Sequence, residues 1–160
     1  MFSFPENCKI VEGLAPVVGA GGAVTGDYIS LKNAHKAWIV IYYNQADGNS
    51  ITFNPLKATA VAPTDSSVLT EVCRIWSNLD CATSDLLVER TAAVNYASGA
   101  GAAHKIIIFE IDPSLLEEDH DCIAGASTTV IAAAQYVSML YVIQPRYQGR
   151  VLTAPTVITD

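Results

Sequence analysis

Residues 35–43 have the clearest hydrophobic pattern in the chain. Their sequence, HKAWIVIYY, is rich in β-branched and aromatic residues, which favour a strand. Alternate residues of a strand point to opposite faces, and both sets are apolar here: Ala37, Ile39, Ile41 and Tyr43 on one face, and Trp38, Val40 and Tyr42 on the other. A strand that is apolar on both faces lies in the middle of a sandwich, or has its second face covered by a neighbour.

Other segments are β-rich and are separated by turn signals. An Asp-Gly pair gives the turn at 44–50 hairpin chemistry, and Pro55 limits the strand that follows. Pro113 opens a helix of one or two turns. Residues 127–135 fit an Ala-rich helix or a loop, and we favour a loop that leads into a strand. The further predicted strands are residues 9–11, 27–31, 51–53, 72–76, 86–91, 94–96, 104–111 and 136–143.

These segments amount to about eight to ten short strands without βαβ alternation. They predict an all-β fold, an antiparallel β-sandwich or jelly roll with at most one or two short helical turns. We assign residues 1–143 to this sandwich and residues 144–160 to an extended C-terminal arm. Because Arg146 and Arg150 make that end basic on an acidic protein, an arm that lies on a neighbouring subunit fits it. A last strand with a frayed tail fits it equally well.

Composition narrows the class of protein. The 160 residues suit one domain, and hydrophobic residues make up 51% against 16% charged, which argues against disorder. So little charge fits apolar surface covered by other copies, and a plain Ala- and Val-rich core fits it equally well. The formal net charge is −7 and Lys and Arg do not cluster, so we expect no nucleic-acid partner. No apolar run reaches membrane-spanning length, and the first residues lack the pattern of a secretion signal. We therefore expect no membrane partner and synthesis in a cytoplasm.

The glycine-rich stretch APVVGAGGAVTGD, residues 15–27, superficially matches a dinucleotide-binding turn. In the G-x-G-x-x-G pattern, Gly19 and Gly21 fill the first two places, but Val24 fills the third. The residues that follow favour strands, so no helix N-terminus is available to hold a pyrophosphate. We interpret the stretch as a connection between two β segments.

Candidate catalytic and metal-binding residues are few. The run of residues 117–122, EEDHDC, offers ligands for a metal, but neighbours in one turn seldom converge, and a solvated acidic turn explains it better. His35 and His104 each open a strand; a small cupin-like enzyme would use such histidines together with His120, but no H-x-H pair exists. We predict no metal, no cofactor and no enzyme. The four cysteines fit buried free thiols better than two disulfides.

Several segments in order resemble one protein family. They are the Gly/Ala-rich early loop that follows Val17, TGDYISLKNAHKAWIVI from Thr25, IIIFEIDPSLL from Ile106, DCIA from Asp121 and YVIQPRYQGRVL from Tyr141. Together they span about residues 17–152 and resemble the jelly-roll cement or decoration proteins of tailed bacteriophages. The resemblance implies a β-sandwich virion subunit that self-associates as a homodimer or homotrimer and binds the major capsid protein. It also implies a location on the capsid exterior after assembly in the bacterial host cytoplasm, and it carries over no catalytic residue.

An aromatic strand and a basic C-terminal segment are the predicted partner interface, because Arg and Tyr are favoured interface anchors. The predicted interface residues are Trp38, Tyr42, Tyr43, Arg146, Tyr147 and Arg150. An alternative function is a tail or surface-exposed module that binds carbohydrate or the host. In that case Trp38, Tyr42, Tyr43 and Trp76 would form a sugar platform, although core packing is the simpler explanation for these rings.

Overall fold

The computed structural model describes residues 3–129, 131–146 and 156–158. Within them lie eleven strands, one helical turn α1 (Phe4–Asn7) and one 3-10 turn (Pro113–Leu115). The strands are β1 (Lys9–Val18), β2 (Ile29–Ser30), β3 (Ala34–Gln45), β4 (Thr52–Ala58), β5 (Ser67–Val68), β6 (Cys73–Asn78), β7 (Val88–Ala93), β8 (Tyr96–Ala97), β9 (Ala103–Ile111), β10 (Cys122–Ser127) and β11 (Tyr136–Pro145). No helix in the described part is long and apolar enough to cross a membrane.

The strands form two antiparallel sheets whose order is that of a jelly roll. One sheet has six strands in the order β1-β11-β3-β9-β6-β7, and the other has the order β2-β10-β4-β5, with β8 also pairing with β4. Without β6, β7 and β8, eight strands remain. They form one sheet in the order β1-β11-β3-β9 and another in the order β2-β10-β4-β5. Numbered along the chain from one to eight, these orders are 1-8-3-6 and 2-7-4-5, which is the arrangement of a jelly roll. The predicted all-β sandwich is therefore confirmed, with β6–β8 inserted between the fifth and sixth strands.

The core lies between the inner faces of the two sheets. Tyr43 of β3 meets Phe53 of β4 edge to face, with ring centroids 5.5 Å apart. The sheets approach most closely at Gly125 in β10, where an added Cβ would lie 2.8 Å from Met139 Sδ and 2.9 Å from Ile39 Cγ2. Because real Cβ contacts are longer, only glycine fits this position without displacing a neighbour.

Two strand predictions are wrong for identifiable reasons. β4 continues through Pro55 to Ala58 although proline cannot donate to a ladder. On the side away from β10, β4 pairs with β8 at Thr52 and Phe53 and with β5 from Leu56, so Pro55 falls between two short partners. The second error is β10 itself, which no pattern predicted. Its sequence, CIAGAS, has a single β-branched residue, Ile123, among small ones, yet all six residues are buried in the middle of the smaller sheet.

The first and last strands, β1 and β11, extend beyond their predicted bounds. β1 extends through two irregularities to Val18, so residues 15–18 belong to a strand and the glycines that follow connect it to later β segments, as interpreted. The stretch before β11 contains no helix in its described residues, in agreement with the favoured loop. β11 ends at Pro145, two residues into the predicted arm. Farther on, the Val157 carbonyl accepts a hydrogen bond of 2.6 Å from Ser30 N–H, and Val157 packs against the core.

Candidate functional site

The outward side of the six-stranded sheet, here called the outer face, carries an apolar surface. From Lys36 onward, odd-numbered residues of β3 point into the core and even-numbered ones point outward, and β9 and β11 follow the same alternation. Register places outward residues in rows, one of which joins Val142, Trp38 and Glu110 across three strands. The apolar members of the outer face are Ile10, Val18, Trp38, Val40, Tyr42, Trp76, Ile106, Ile108, Tyr136, Leu140 and Val142.

Solvent reaches this face, unlike the opposite side of the same strands. Ile10 is 50% exposed, Leu140 45% and Tyr42 43%, whereas Ile39 and Ile41 of β3 are fully buried. An antiparallel sheet with one solvated face ordinarily alternates apolar residues inward with polar residues outward. The central strands here are apolar on both sides, so the outer face is a candidate protein-binding surface.

A groove of about 330 Å³ runs between α1 and the outer face. Phe4 and the buried Cys8 form one wall, and Trp38, Val40, Ile108 and Val142 form the other. Pro5 in the first turn of α1 is compatible with its short helix, because an N-terminal proline gives up no helical hydrogen bond. The groove has the size and the apolar lining to receive a large hydrophobic side chain.

Charged side chains on the outer face neutralise one another beside the apolar rows. Glu110 accepts hydrogen bonds of 2.8 Å from Lys36 Nζ and 2.9 Å from Trp38 Nε1. Burial opposes ionisation of Glu110, but these two bonds and the positive charges of Lys36 and Arg74 together outweigh it and lower the pKa of Glu110 below its usual value. Arg74 bonds to Glu89 at 2.9 Å and lies over the Trp76 ring, 4.6 Å from its centroid.

The structure separates the predicted interface residues. Trp38 and Tyr42 lie on the outer face, where the Tyr42 ring stacks on His104 and the Tyr42 hydroxyl lies 2.9 Å from His104 Nδ1. Tyr43 points the other way and is fully buried, so it is a core residue and not a surface anchor. Because successive residues of a strand point to opposite faces, Tyr43 faces the core when Tyr42 faces outward.

Only part of the predicted C-terminal interface lies within the described residues. Arg146 follows β11, is exposed, and donates its backbone N–H to the Asn33 carbonyl at 2.7 Å. Tyr147 and Arg150 lie outside the described residues. The proposed arm thus begins from a backbone that is tied to the sandwich at Arg146.

The acidic run at 117–122 is divided among separate partners. Glu117 pairs with the buried Lys57, and this hydrogen bond lowers the pKa of Glu117. His120 Nε2 lies 3.9 Å from Asp65, while Asp121 lies 3.4 Å from Lys32. The run does not gather into one site, and no group of three or more His, Cys, Asp or Glu side chains in the described chain could hold a metal ion.

The other candidate residues are also dispersed. His35 and His104 are exposed, so neither lies inside the sandwich as a cupin-like site would require. All four cysteines are free thiols, and burial raises the pKa of Cys73 to about 11. A buried thiol with a raised pKa is a poor nucleophile and a poor metal ligand.

Sequence analysis missed the buried ammonium of Lys105. This side chain is 2% exposed and donates to Gln45 Oε1 at 2.9 Å and to the carbonyls of Ser98 and Gly99 at 2.8 and 3.1 Å. Alternation with Ile107 and Phe109 was the available signal, because it places Lys105 on the inner face. Its contacts fasten the loop after β8 to the end of the sandwich, which is a structural role.

No model of a known protein family matches this chain, and no curated protein sequence matches it. Among solved structures, it is similar to the crystal structure of the SPBc2 prophage-derived protein YomS. The identity is 6% and the TM-score 0.48, over 86% of this chain and 92% of YomS. A similarity this weak carries no argument about the function of the chain.

Proposed function

We propose that this protein is a structural virion subunit of a tailed bacteriophage, a capsid cement or decoration protein that binds the major capsid protein shell. The observation that supports the proposal best is the apolar outer face, which becomes buried only when another protein covers it. The jelly-roll sandwich and the segment resemblance to cement proteins agree with such a role. In this proposal the protein acts from the capsid exterior by binding and not by catalysis.

Mass action explains how such a subunit stabilises a shell. A protein that binds the assembled shell, and not its separated subunits, stabilises the shell by its binding free energy. At a free concentration one hundred times the dissociation constant, each site contributes about 2.7 kcal/mol. Many sites on one capsid therefore raise its resistance to heat and internal pressure.

Co-sedimentation with phage capsids stripped of accessory proteins tests this function. We expect saturable binding at a fixed ratio to the major capsid protein. Arg146→Glu should weaken that binding if the basic C-terminal segment contacts the shell, and Arg146→Lys, which keeps the positive charge at the same exposed position, is the matched control. A folded protein that never sediments with capsids would contradict the proposed function, and equal binding by both variants would contradict the role of Arg146.

Carbohydrate binding is the second candidate, because several aromatic rings share the outer face. Trp38 and Trp76 lie two strands apart in adjacent rows, and Tyr42 stacks on His104 nearby. Aromatic rings on one sheet face can stack against sugar rings. A glycan array decides between the two functions. Saturable binding that is lost in Trp76→Ala would favour carbohydrate binding, and no binding to any glycan on the array would favour the cement role.

A further inference from the structure

We propose that a second copy of this chain covers the outer face, through a twofold contact in which Leu140 of each copy enters the groove of the other. The groove is the one between α1 and the outer face. This inference rests on the proposed function only in treating the outer face as an interface, and it leaves the basic C-terminal segment as the contact with the shell. To the self-association that the resemblance implies, it adds the face that pairs and the side chain that anchors it.

Charge favours a second copy as the occupant. The chain carries 16 acidic and 9 basic residues, so two copies repel each other over most of their surface. The outer face is closer to neutral. Its described charged residues are two bases and three acids, namely Lys36, Arg74, Glu12, Glu89 and Glu110. Four of the five form the network around Glu110 and Arg74, so closing the face leaves them paired.

The area of the outer face suits a stable dimer. Six strands about 4.8 Å apart span about 24 Å, and their mean length of about nine residues at 3.4 Å per residue spans about 27 Å, which gives roughly 650 Å² for each copy. Covering that area twice buries about 1,300 Å² in total, which lies within the range of specific protein interfaces. The pattern of exposure agrees, because the partly exposed Ile10, Leu140 and Tyr42 all lie within this area.

The shape of the face provides a projection and a recess side by side. Leu140 projects from β11 and is 45% exposed. Its register partner in β3 is Val40, which lines the groove. A twofold axis that runs between Leu140 and the groove exchanges them, so each Leu140 meets the groove of the other copy. The indole N–H of Trp38 already bonds to Glu110, so the groove wall offers Leu140 an apolar surface.

Sedimentation equilibrium of the full chain tests the dimer. We expect the wild type to be dimeric and Leu140→Asp to raise the dimer dissociation constant about a hundredfold or more, since a carboxylate would enter an apolar groove. Leu86→Asp is the matched control, because Leu86 is 64% exposed and lies outside the outer face. Ile10→Asp is a second variant on the outer face in case Leu140→Asp alters the thermal unfolding of the chain.

A mixing experiment identifies the contact itself. Val142→Lys places an ammonium group in the groove, and we expect it to be monomeric alone, like Leu140→Asp. A mixture of the two variants should dimerise at least tenfold more tightly than either, because one contact pairs opposite charges and the other is unchanged. A mixture that stays monomeric would refute the Leu140-to-groove contact.

The outcomes separate this inference from the proposed function. A wild-type monomer, or a Leu140→Asp and Ile10→Asp pair that both remain dimeric, overturns the twofold contact whatever the capsids do. A wild-type dimer that ignores stripped capsids supports the contact and contradicts the cement role. Capsid binding by a monomer supports the cement role and contradicts the twofold contact.

Discussion

Replacing Tyr141 by phenylalanine should weaken the link between the two sheets. Tyr141 belongs to β11 of the six-stranded sheet and is fully buried. Its hydroxyl donates to the Asp27 carbonyl at 2.8 Å and accepts from the backbone N–H of Gly125 in β10 at 3.2 Å. One oxygen atom thus joins the larger sheet to the smaller sheet and to the segment before β2.

The cost of Tyr141→Phe follows from the groups that lose their partner. Each hydrogen bond contributes about 1 kcal/mol, and an unpaired buried N–H costs about 1–3 kcal/mol. Asp27 is exposed, so water can replace the hydroxyl at its carbonyl, whereas the N–H of Gly125 is buried. We therefore expect a loss of about 2 kcal/mol, which lowers the Tm of a domain of this size by about 4–8 °C.

Tyr43→Phe is the matched control for the same chemical change. Tyr43 is also fully buried, but its hydroxyl has no hydrogen-bond partner among the described residues. Phenylalanine keeps the edge-to-face contact with Phe53 and removes an uncompensated polar group. The free energy of unfolding should stay the same or rise by about 1 kcal/mol.

Urea unfolding of the two variants and the wild type measures both effects. The comparison requires equal m-values, so that a shift in midpoint reports stability alone. Equal losses of stability in Tyr43→Phe and Tyr141→Phe would refute the reasoning, because the hydrogen bonds would then not distinguish the two hydroxyl groups. A Tyr141→Phe variant with the stability of the wild type would also refute the reasoning.

Three further perturbations test other parts of the fold. Burial raises the pKa of Tyr43 and of Tyr141 to about 12, so the neutral hydroxyls are favoured in the folded state. This contribution to stability is complete below pH 10 and should fall by about 2–3 kcal/mol per hydroxyl towards pH 12. Urea midpoints that do not change between about pH 10 and pH 12 would contradict this prediction. Gly125→Ala should cost about 1–3 kcal/mol in urea unfolding, because the new Cβ displaces Met139; an unchanged midpoint would show that the sheets can separate at no cost. Lys105→Met should cost about 1–3 kcal/mol and speed hydrogen exchange at residues 97–101, because the Ser98 carbonyl loses its ammonium donor, while Gln45 Oε1 and the Gly99 carbonyl each keep another donor. Protection equal to the wild type would refute the anchoring role.

The fold was predictable where large side chains set the pattern. β3, β9 and β11 contain long runs of β-branched and aromatic residues, so alternation alone located them within two residues at either end. β10 could not be found that way. It is a strand because β2 and β4 flank it, and it carries small residues because Met139 and Ile39 press against it. Those constraints come from the other sheet and leave no local signal.

The candidate site was half predictable for the same reason. Alternation within β3 assigns Trp38 and Tyr42 to one face and Tyr43 to the other, so the inclusion of Tyr43 in the interface contradicted a pattern already visible in the sequence. Leu140 and Ile10 could not be joined to Trp38 without the register of β11 against β1 and β3. Residues more than a hundred positions apart become neighbours only through that register.

The apolar outer face distinguishes what the fold needs from what the function needs. The inner residues of β3 complete the core, which does not require Ile10, Leu140 and Tyr42 to be apolar as well, since each is at least 43% exposed. An exposed apolar sheet face promotes aggregation, and a chain that retains one has a partner to cover it. Polar substitutions on this face should therefore leave the unfolding free energy of the isolated chain nearly unchanged while they abolish assembly. That separation of stability from assembly is the behaviour of an interface, and core residues cannot produce it.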